Sequence, residues 1–393
     1  MGLGSVLGNQ EFRGLWVGQA LSLLGDQLAR VALAVLVFDS TGSAAATAAA
    51  YAVTMLPWLI GGPLLSWVGD RYPRRSVLVS CDVASAILVA GMALPGLALP
   101  ALCALLFVAT LLSAPFKAAR SALVRDIFPD DRYALGVAVT ATTGQFAQVA
   151  GFLAGGVLVT VVTPRQALLL DALTFAVSAL VIRVAVEFRP APDAITGSPR
   201  TAGSGLRLVF GDPHLRRLTL YAWLAAFHTV PAGVVAPYTG GVPTAIGVLL
   251  GSSALGATLS MLALSRWTRP ERRLRLLEPL AVLASAPLVA SVTDPGLGLT
   301  ALLWLLAGLG GGYQLPANVA FVSAVPADRR AAAFGVVSTG LVAGQGLGVV
   351  LAGALAELYA PHLVVAGAGA CGLLAAAGLW IAHPAQHRSP AKT

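Results

Sequence analysis

Apolar runs of roughly 20 residues recur along almost the whole chain, and each is long enough to cross ~30 Å of hydrocarbon at 1.5 Å per helical residue. Bounded by charge, proline or glycine clusters, they fall near 15–38, 44–68, 76–98, 100–120, 134–162 and 165–186. After a polar stretch they resume near 215–238, 243–265, 276–293, 297–319, 331–357 and 361–382. The pattern predicts an all-α integral membrane protein with twelve transmembrane helices, although Pro231, Pro237 and Pro243 interrupt the stretch from 215 to 265. Only 11% of the 393 residues are charged, against about a quarter in soluble globular proteins. Cys81, Cys103 and Cys371 lie inside apolar runs, without metal-ligand or disulfide spacing, and read as small core residues.

The formal charge of +8 raises the question of nucleic acid, which the placement of the basic residues answers. With the N-terminus inside, 23 of 25 fall in cytoplasmic segments or at cytoplasmic helix ends, Lys117, Arg120 and Arg125 among them, leaving only Arg30 and Arg165. That satisfies the positive-inside rule, with both termini cytoplasmic in the plasma (inner) membrane, and nucleic-acid binding is not expected. The first run is too long for a signal-peptide core and contains Asp26 and Arg30, so it reads as a membrane helix.

Local echoes recur at a shift near 200. Pro129, Asp131, Arg132, Gly136, Val137 and Thr140 correspond to Pro326, Asp328, Arg329, Gly335, Val336 and Thr339, and Arg74 and Arg75 to Arg272 and Arg273. With six spans per half, they indicate a duplicated six-helix unit in parallel orientation, an arrangement in which substrate binds near the midplane between the halves. The expected layout is two pseudo-symmetric six-helix bundles, 1–186 and 214–382, joined by a cytoplasmic linker, 187–213, and followed by a cytoplasmic tail, 383–393.

After the second span comes Ser66-Trp67-Val68-Gly69-Asp70-Arg71-Tyr72-Pro73-Arg74-Arg75, one acid among three guanidinium groups beside a helix end. Arginine forks bond carboxylates and helix C-terminal carbonyls, so this turn is a candidate latch between the halves. It resembles the G-x-x-x-D-R-x-G-R-R loop of the major facilitator superfamily: Asp70, Arg71, Arg74 and Arg75 match, while Ser66 and Pro73 replace the glycines. The fifth span holds Ala147-x-x-x-Gly151-Phe152-x-x-Gly155-Gly156, which is similar to the G-x-x-x-G-P-x-x-G-G pattern of that superfamily's drug:proton antiporters, with Ala147 and Phe152 departing from it. Small residues at this spacing permit close helix packing. Leu24-Gly25-Asp26 and Leu170-Asp171-Ala172-Leu173-Thr174-Phe175 resemble the twelve-helix branch that includes macrolide exporters and the enterobactin exporter, which implies export without naming the cargo.

An ionisable residue in mid-span costs roughly 2.5–3.5 kcal/mol on insertion scales and is a functional candidate by default. Asp26 lies 13 residues beyond Arg13, or about 20 Å along the axis, and Arg30 follows one turn later. Together they form either a proton-exchange or cation site or a static neutral pair. His228, equally deep, is a second proton-site candidate, with a hydrogen-bonded packing role as the alternative. Tyr221 and Trp223 accompany it in the seventh span. The resemblance implies a cavity lined by helices 1, 4, 7 and 10, where Tyr313, Gln314 and Asn318 lie, and Gln145, Gln148 and Gln345 add hydrogen-bonding groups from the fifth and eleventh spans. Asp82 and Glu278 sit near arginine-rich loops and read as salt-bridge partners; Asp171 and Glu357, near the outer and inner ends of their helices, read as structural.

No P-loop, metal-ligand cluster or nucleophile-base arrangement is evident, so no cofactor and no enzymatic activity is expected. The expectation is a monomeric secondary exporter of amphipathic or aromatic small molecules, exchanging protons by alternating access. Its rivals are a dedicated exporter of one metabolite or siderophore, a lysolipid transporter, and a non-transporting membrane sensor or scaffold.

Overall fold

A computed structural model describes residues 4–65, 71–128, 132–190, 202–326 and 329–381. The motif residues Ser66 to Asp70, most of the linker and the expected tail lie outside the described residues. Among those described, regular structure is entirely helical, and eleven helices are long and apolar enough to cross a membrane.

The first six spans are α1 (Gln10–Thr41), α2 (Ala44–Val53, resumed at Leu56–Leu65), α3 (Arg74–Met92), α4 (Leu99–Ile127), α5 (Arg132–Val161) and α6 (Pro164–Ala185). Their boundaries follow local chemistry. The Asn9 side chain accepts the Phe12 N–H at 3.0 Å to start α1, and Gly42, at φ 62°, ends it in the left-handed region that glycine tolerates. α2 breaks after Val53 because Pro57 has no N–H to give to the carbonyl four residues back. Thr163 and Gln166 close a reciprocal capping box at α6.

The seventh span is interrupted, in line with the prolines noted in it. It is α7, in three pieces, Pro213–Trp223, Ala225–Gly233 and Val235–Tyr238, together ~39 Å along the axis. Pro237 cannot donate to Gly233, where the middle piece stops. Then follow α8 (Pro243–Trp267), α9 (Leu277–Val289), α10 (Gly296–Gly310, continued through Gln314–Ala324), α11 (Arg330–Ala356) and α12 (Pro361–Ile381). The turn inside α10, Gly311–Tyr313, holds two glycines directly after Gly310, and Pro316 follows in the second piece.

Within the first half α1 packs on α6 and α5, and α6 on α3; within the second α8 packs on α10, and α9 on α12. Between halves, α2 packs on α11 and α5 on α8. Replacing each helix of the first pair by its counterpart in the other half, α2 by α8 and α11 by α5, gives the second pair, the relation a pseudo-two-fold axis imposes. Side chains such as Val161, Leu374 and Ile381, 73–80% exposed, form the outer face.

Candidate functional site

Two adjoining cavities lie inside this frame. The first, of about 330 Å³, is enclosed by the first half. α1 contributes Asp26 and Arg30, α3 Asp82, α4 Lys117 and Arg120, and α6 Asp171, so three acids and three bases face one space. The second, of about 520 Å³, lies between the halves and is lined by Gln145, Gln148, His228, Thr229, Gln314, Asn318 and Gln345, with Phe152 and Trp304 among its apolar walls. Arg30 and Gln148 line both cavities.

Asp26 lies 16 residues into α1, ~24 Å along a helix about twice that long. Among the described residues no ion pair within 4 Å joins it to Arg30; the two share a cavity without closing the expected contact. The neighbouring Gly25 faces Asp171 and Thr174 so closely that a side chain at 25 would overlap them. Two segments 145 residues apart in sequence thus meet in space, and the Thr174 hydroxyl donates to the Asp171 backbone carbonyl at 2.8 Å.

Asp171 is therefore part of the cavity wall rather than a helix-end residue. Asp82 is corrected likewise: 2% exposed, it accepts a hydrogen bond from the Ser178 hydroxyl at 2.6 Å and faces the cavity instead of an arginine loop. Lys117 and Arg120 leave the cytoplasmic tally, which falls to 21 of 25, because α4 runs on to Ile127 and holds Lys117 ~15 Å inside its end. The Lys117 ammonium lies 3.8 Å from the centre of the Trp58 ring, a cation–π contact. Sequence reasoning missed these four as cavity residues; their 3- and 7-residue spacings to helical neighbours carried no signal of which spans would converge.

In the second cavity, His228 Nε2 lies 2.9 Å from the Ser285 hydroxyl, and the Gln345 amide donates to Thr229 Oγ1 at 2.9 Å. The Gln145 amide reaches Met261 Sδ of α8 at 3.5 Å. Three expected lining residues point elsewhere. Tyr221 is buried in the core of the second half, with the Arg217 guanidinium 5.5 Å from its ring. The Trp223 indole donates to Val337 O at 3.0 Å against Gly340, and Tyr313, fully buried, packs edge-on behind His228 at 5.8 Å. The α7 segment Pro213–Trp223 is amphipathic, and its apolar face, Tyr221 included, packs into the core of the second half instead of lining the cavity.

The glycines of α5 make close approaches. A side chain at Gly151 would begin 2.7 Å from Gln27 Cβ, one at Gly155 3.0 Å from Leu28 Cα, and one at Gly156 2.8 Å from both Gly247 Cα and Pro243 O of α8. Arg74 pairs with Asp126, and Arg75 donates to the Arg183 carbonyl at the end of α6. Both partners belong to the first half, so these two arginines brace α3 against α4 and α6 rather than latching the halves. Arg71 is exposed at the start of the described part of the loop, and Asp70 lies outside the described residues. Glu278 pairs with Arg217, as its place near an arginine-rich segment led one to expect.

The halves meet at the Thr41 end. There the Glu357 carboxylate, beyond the end of α11, accepts the Ser43 hydroxyl at 2.6 Å and the Ala45 N–H at 2.9 Å, which caps α2. This corrects the expected inner position of Glu357, which shares an end with the α1–α2 connection. The Ser43 and Ala45 hydrogen bonds hold its carboxyl below the usual glutamate range. A depressed pKa means the charged clamp is complete at neutral pH and is lost only as pH falls through that lowered value. We expect Glu357→Ala to separate the Thr41 ends at neutral pH, and the wild type to do so only in acid. Electron spin resonance distances between labels at Ser40 and Tyr359, on a background lacking the three native cysteines, check both; equal distances in the two proteins would refute the clamp.

A profile of the Major Facilitator Superfamily matches residues 15–294, and the chain belongs to that superfamily. Among curated proteins, it is 29% identical over 76 residues to Macrolide efflux protein A of Streptococcus pyogenes; the match spans 19% of this chain and 19% of that protein. Among solved structures, it is similar to the nucleoside transporter NupG, with a TM-score of 0.76 and 15% identity over 96% of this chain and 100% of the other. A POT family transporter in complex with a thioalcohol-conjugated peptide gives 0.73 and 12% over 94% and 95%. A bacterial homologue of the human lysosomal transporter Spinster, inward-facing and occupied, gives 0.68 and 17% over 94% and 96%. These likenesses show the fold. The chain is a multi-pass membrane protein of this transporter superfamily.

Proposed function

We propose that the protein is a secondary exporter of amphipathic or aromatic small molecules that exchanges them for protons. The observation that carries this is the joined cavity: one compartment holds Asp26 among charges at membrane depth, and the other offers amides, His228, Phe152 and Trp304. A cargo with a polar or ionic group and an apolar ring system matches both. The similarity of a short segment to a macrolide efflux protein supports the outward direction.

In this reading, residues 1–186 and 214–382 are two rocking bundles, with 187–213 as the linker. The Gln10 end and both termini face the cytoplasm of a plasma membrane, as the basic residues favour. With the Thr41 ends joined, the state described is inward-facing. Proton arrival from outside neutralises Asp26 and releases cargo; return of that proton to the cytoplasm resets the site. Arg30, Lys117 and Arg120 keep the compartment electrostatically balanced when Asp26 is charged.

Proteoliposomes carrying a pH-sensitive dye, challenged with cationic dyes, macrolides, phenicols and siderophores, test it. Proton movement driven by one of these compounds is the expected result. Flux of a compound without proton movement would refute antiport, and no flux of any of them would refute this cargo class.

A further inference from the structure

Arg30 opens onto a third space. Besides the two larger cavities it lines a chamber of about 30 Å³ between α1, α2, α4 and α7. The chamber lies toward the Thr41 end: Arg30 is 11 residues short of Thr41, ~17 Å along α1, and Thr47 is three residues into α2, ~5 Å from its start. Its polar lining is Arg30 with Thr47, Tyr51 and Thr54, which at spacings of four and three residues share one face of α2; the rest is aliphatic. Among the described residues neither the Arg30 guanidinium nor the Tyr51 hydroxyl has a hydrogen-bond partner in the protein. A guanidinium carries N–H donors and no acceptor, and at membrane depth a donor without a partner is costly. The two threonines are already spent as donors. Thr47 Oγ1 donates to Ser43 O at 3.0 Å and Thr54 Oγ1 to Tyr51 O at 2.7 Å, so toward the chamber both offer only lone pairs. What fits between must accept from Arg30 and donate to a threonine oxygen. Water does both; a halide ion, which also suits a guanidinium, only accepts. The size agrees, since one water needs about 10–15 Å³ of such space, so the chamber takes about two.

We infer that this chamber is a buried water site, whose molecules bridge the Arg30 guanidinium to the hydroxyls on α2. They give the guanidinium partners on its Thr41 side, in a space that Asp26 does not line, which accounts for the open contact between Asp26 and Arg30. The site is also an interface, because Ala232 and Gly233, where the middle piece of α7 ends, belong to the other half. In the rocking cycle proposed above, on which this consequence alone rests, parting of the Thr41 ends carries that wall away. These waters are then the first contact between outside solvent and the charged compartment.

Crystals of the full chain grown in sodium bromide test the site itself. About two ordered water peaks are expected in the chamber, each within about 3.2 Å of Arg30 or an α2 hydroxyl, with no anomalous signal from bromine there. Ala50→Leu, which pushes a larger side chain into the chamber from a buried position, should remove the peaks. X-ray radiolytic labelling in solution gives an independent reading. Radicals generated from neighbouring water should oxidise Tyr51 in the wild type and at least about threefold less in Ala50→Leu, while the exposed Tyr359 is oxidised equally in both. A bromine peak, which would make the chamber an anion site, overturns the assignment; so does a chamber without ordered density, or Tyr51 oxidation that Ala50→Leu leaves unchanged. None of these readings needs flux, so failure of the export proposal leaves them standing.

Discussion

Gly156→Leu is expected to cut transport at least about fivefold and to leave the protein folded. Gly156 on α5 and Gly247 on α8 meet across the two halves, and neither has room for a side chain: at Gly247 one would begin 2.6 Å from Phe152 O and 2.7 Å from Gly156 Cα. A leucine here displaces one half from the other rather than disturbing either bundle's own core. Overpacking of this kind costs about 1–3 kcal/mol, and because the cost falls only on the state with joined Thr41 ends, it shifts the population by roughly 5- to 150-fold. The form whose cavities are described above is then depleted by that factor. Flux reduced at least about fivefold, with an unchanged circular dichroism spectrum, is the expected pair of results; normal flux would refute the tight Gly156–Gly247 contact as a requirement of the cycle.

Asp26→Asn has the second large effect, and of a different kind. Asparagine keeps the shape and loses the exchangeable proton, so proton movement driven by cargo should fall to background while exchange of labelled cargo at equal concentrations continues. Ser178→Ala is the comparator: it removes the 2.6 Å hydrogen bond to Asp82 without touching a carboxylate, and should leave coupling intact. If Asp26→Asn moves protons as the wild type does, the coupling acid is another of the cavity's carboxylates, with Asp82 and Asp171 next to be replaced.

The membrane class, the eleven long apolar spans and the packing of α5 glycines follow from features visible in one dimension: run length, charge placement and small residues at helical spacing. Depth and rotation are different. Lys117 looked like a cytoplasmic helix-end residue because the apolar run weakens near 120, yet the helix continues to Ile127 and carries the ammonium inward. Tyr221 and Tyr313 looked like cavity aromatics because their spans were expected to line one, but each helix turns them into the bundle, where they fill core. Gly25 facing Asp171 was hidden for another reason: a meeting between spans one and six depends on packing angles that no local pattern encodes. The break in α7 was legible in Pro231 and Pro237, although its place at Trp223 was not.

Arg30 and Gln148 form a party wall between the compartments of about 330 and 520 Å³. A molecule small enough for one room leaves that wall standing, whereas one that occupies both must turn the guanidinium aside. In the proposed cycle the length of the passenger would thereby set the position of one side chain, a turn of helix from Asp26, and size would be read beside charge.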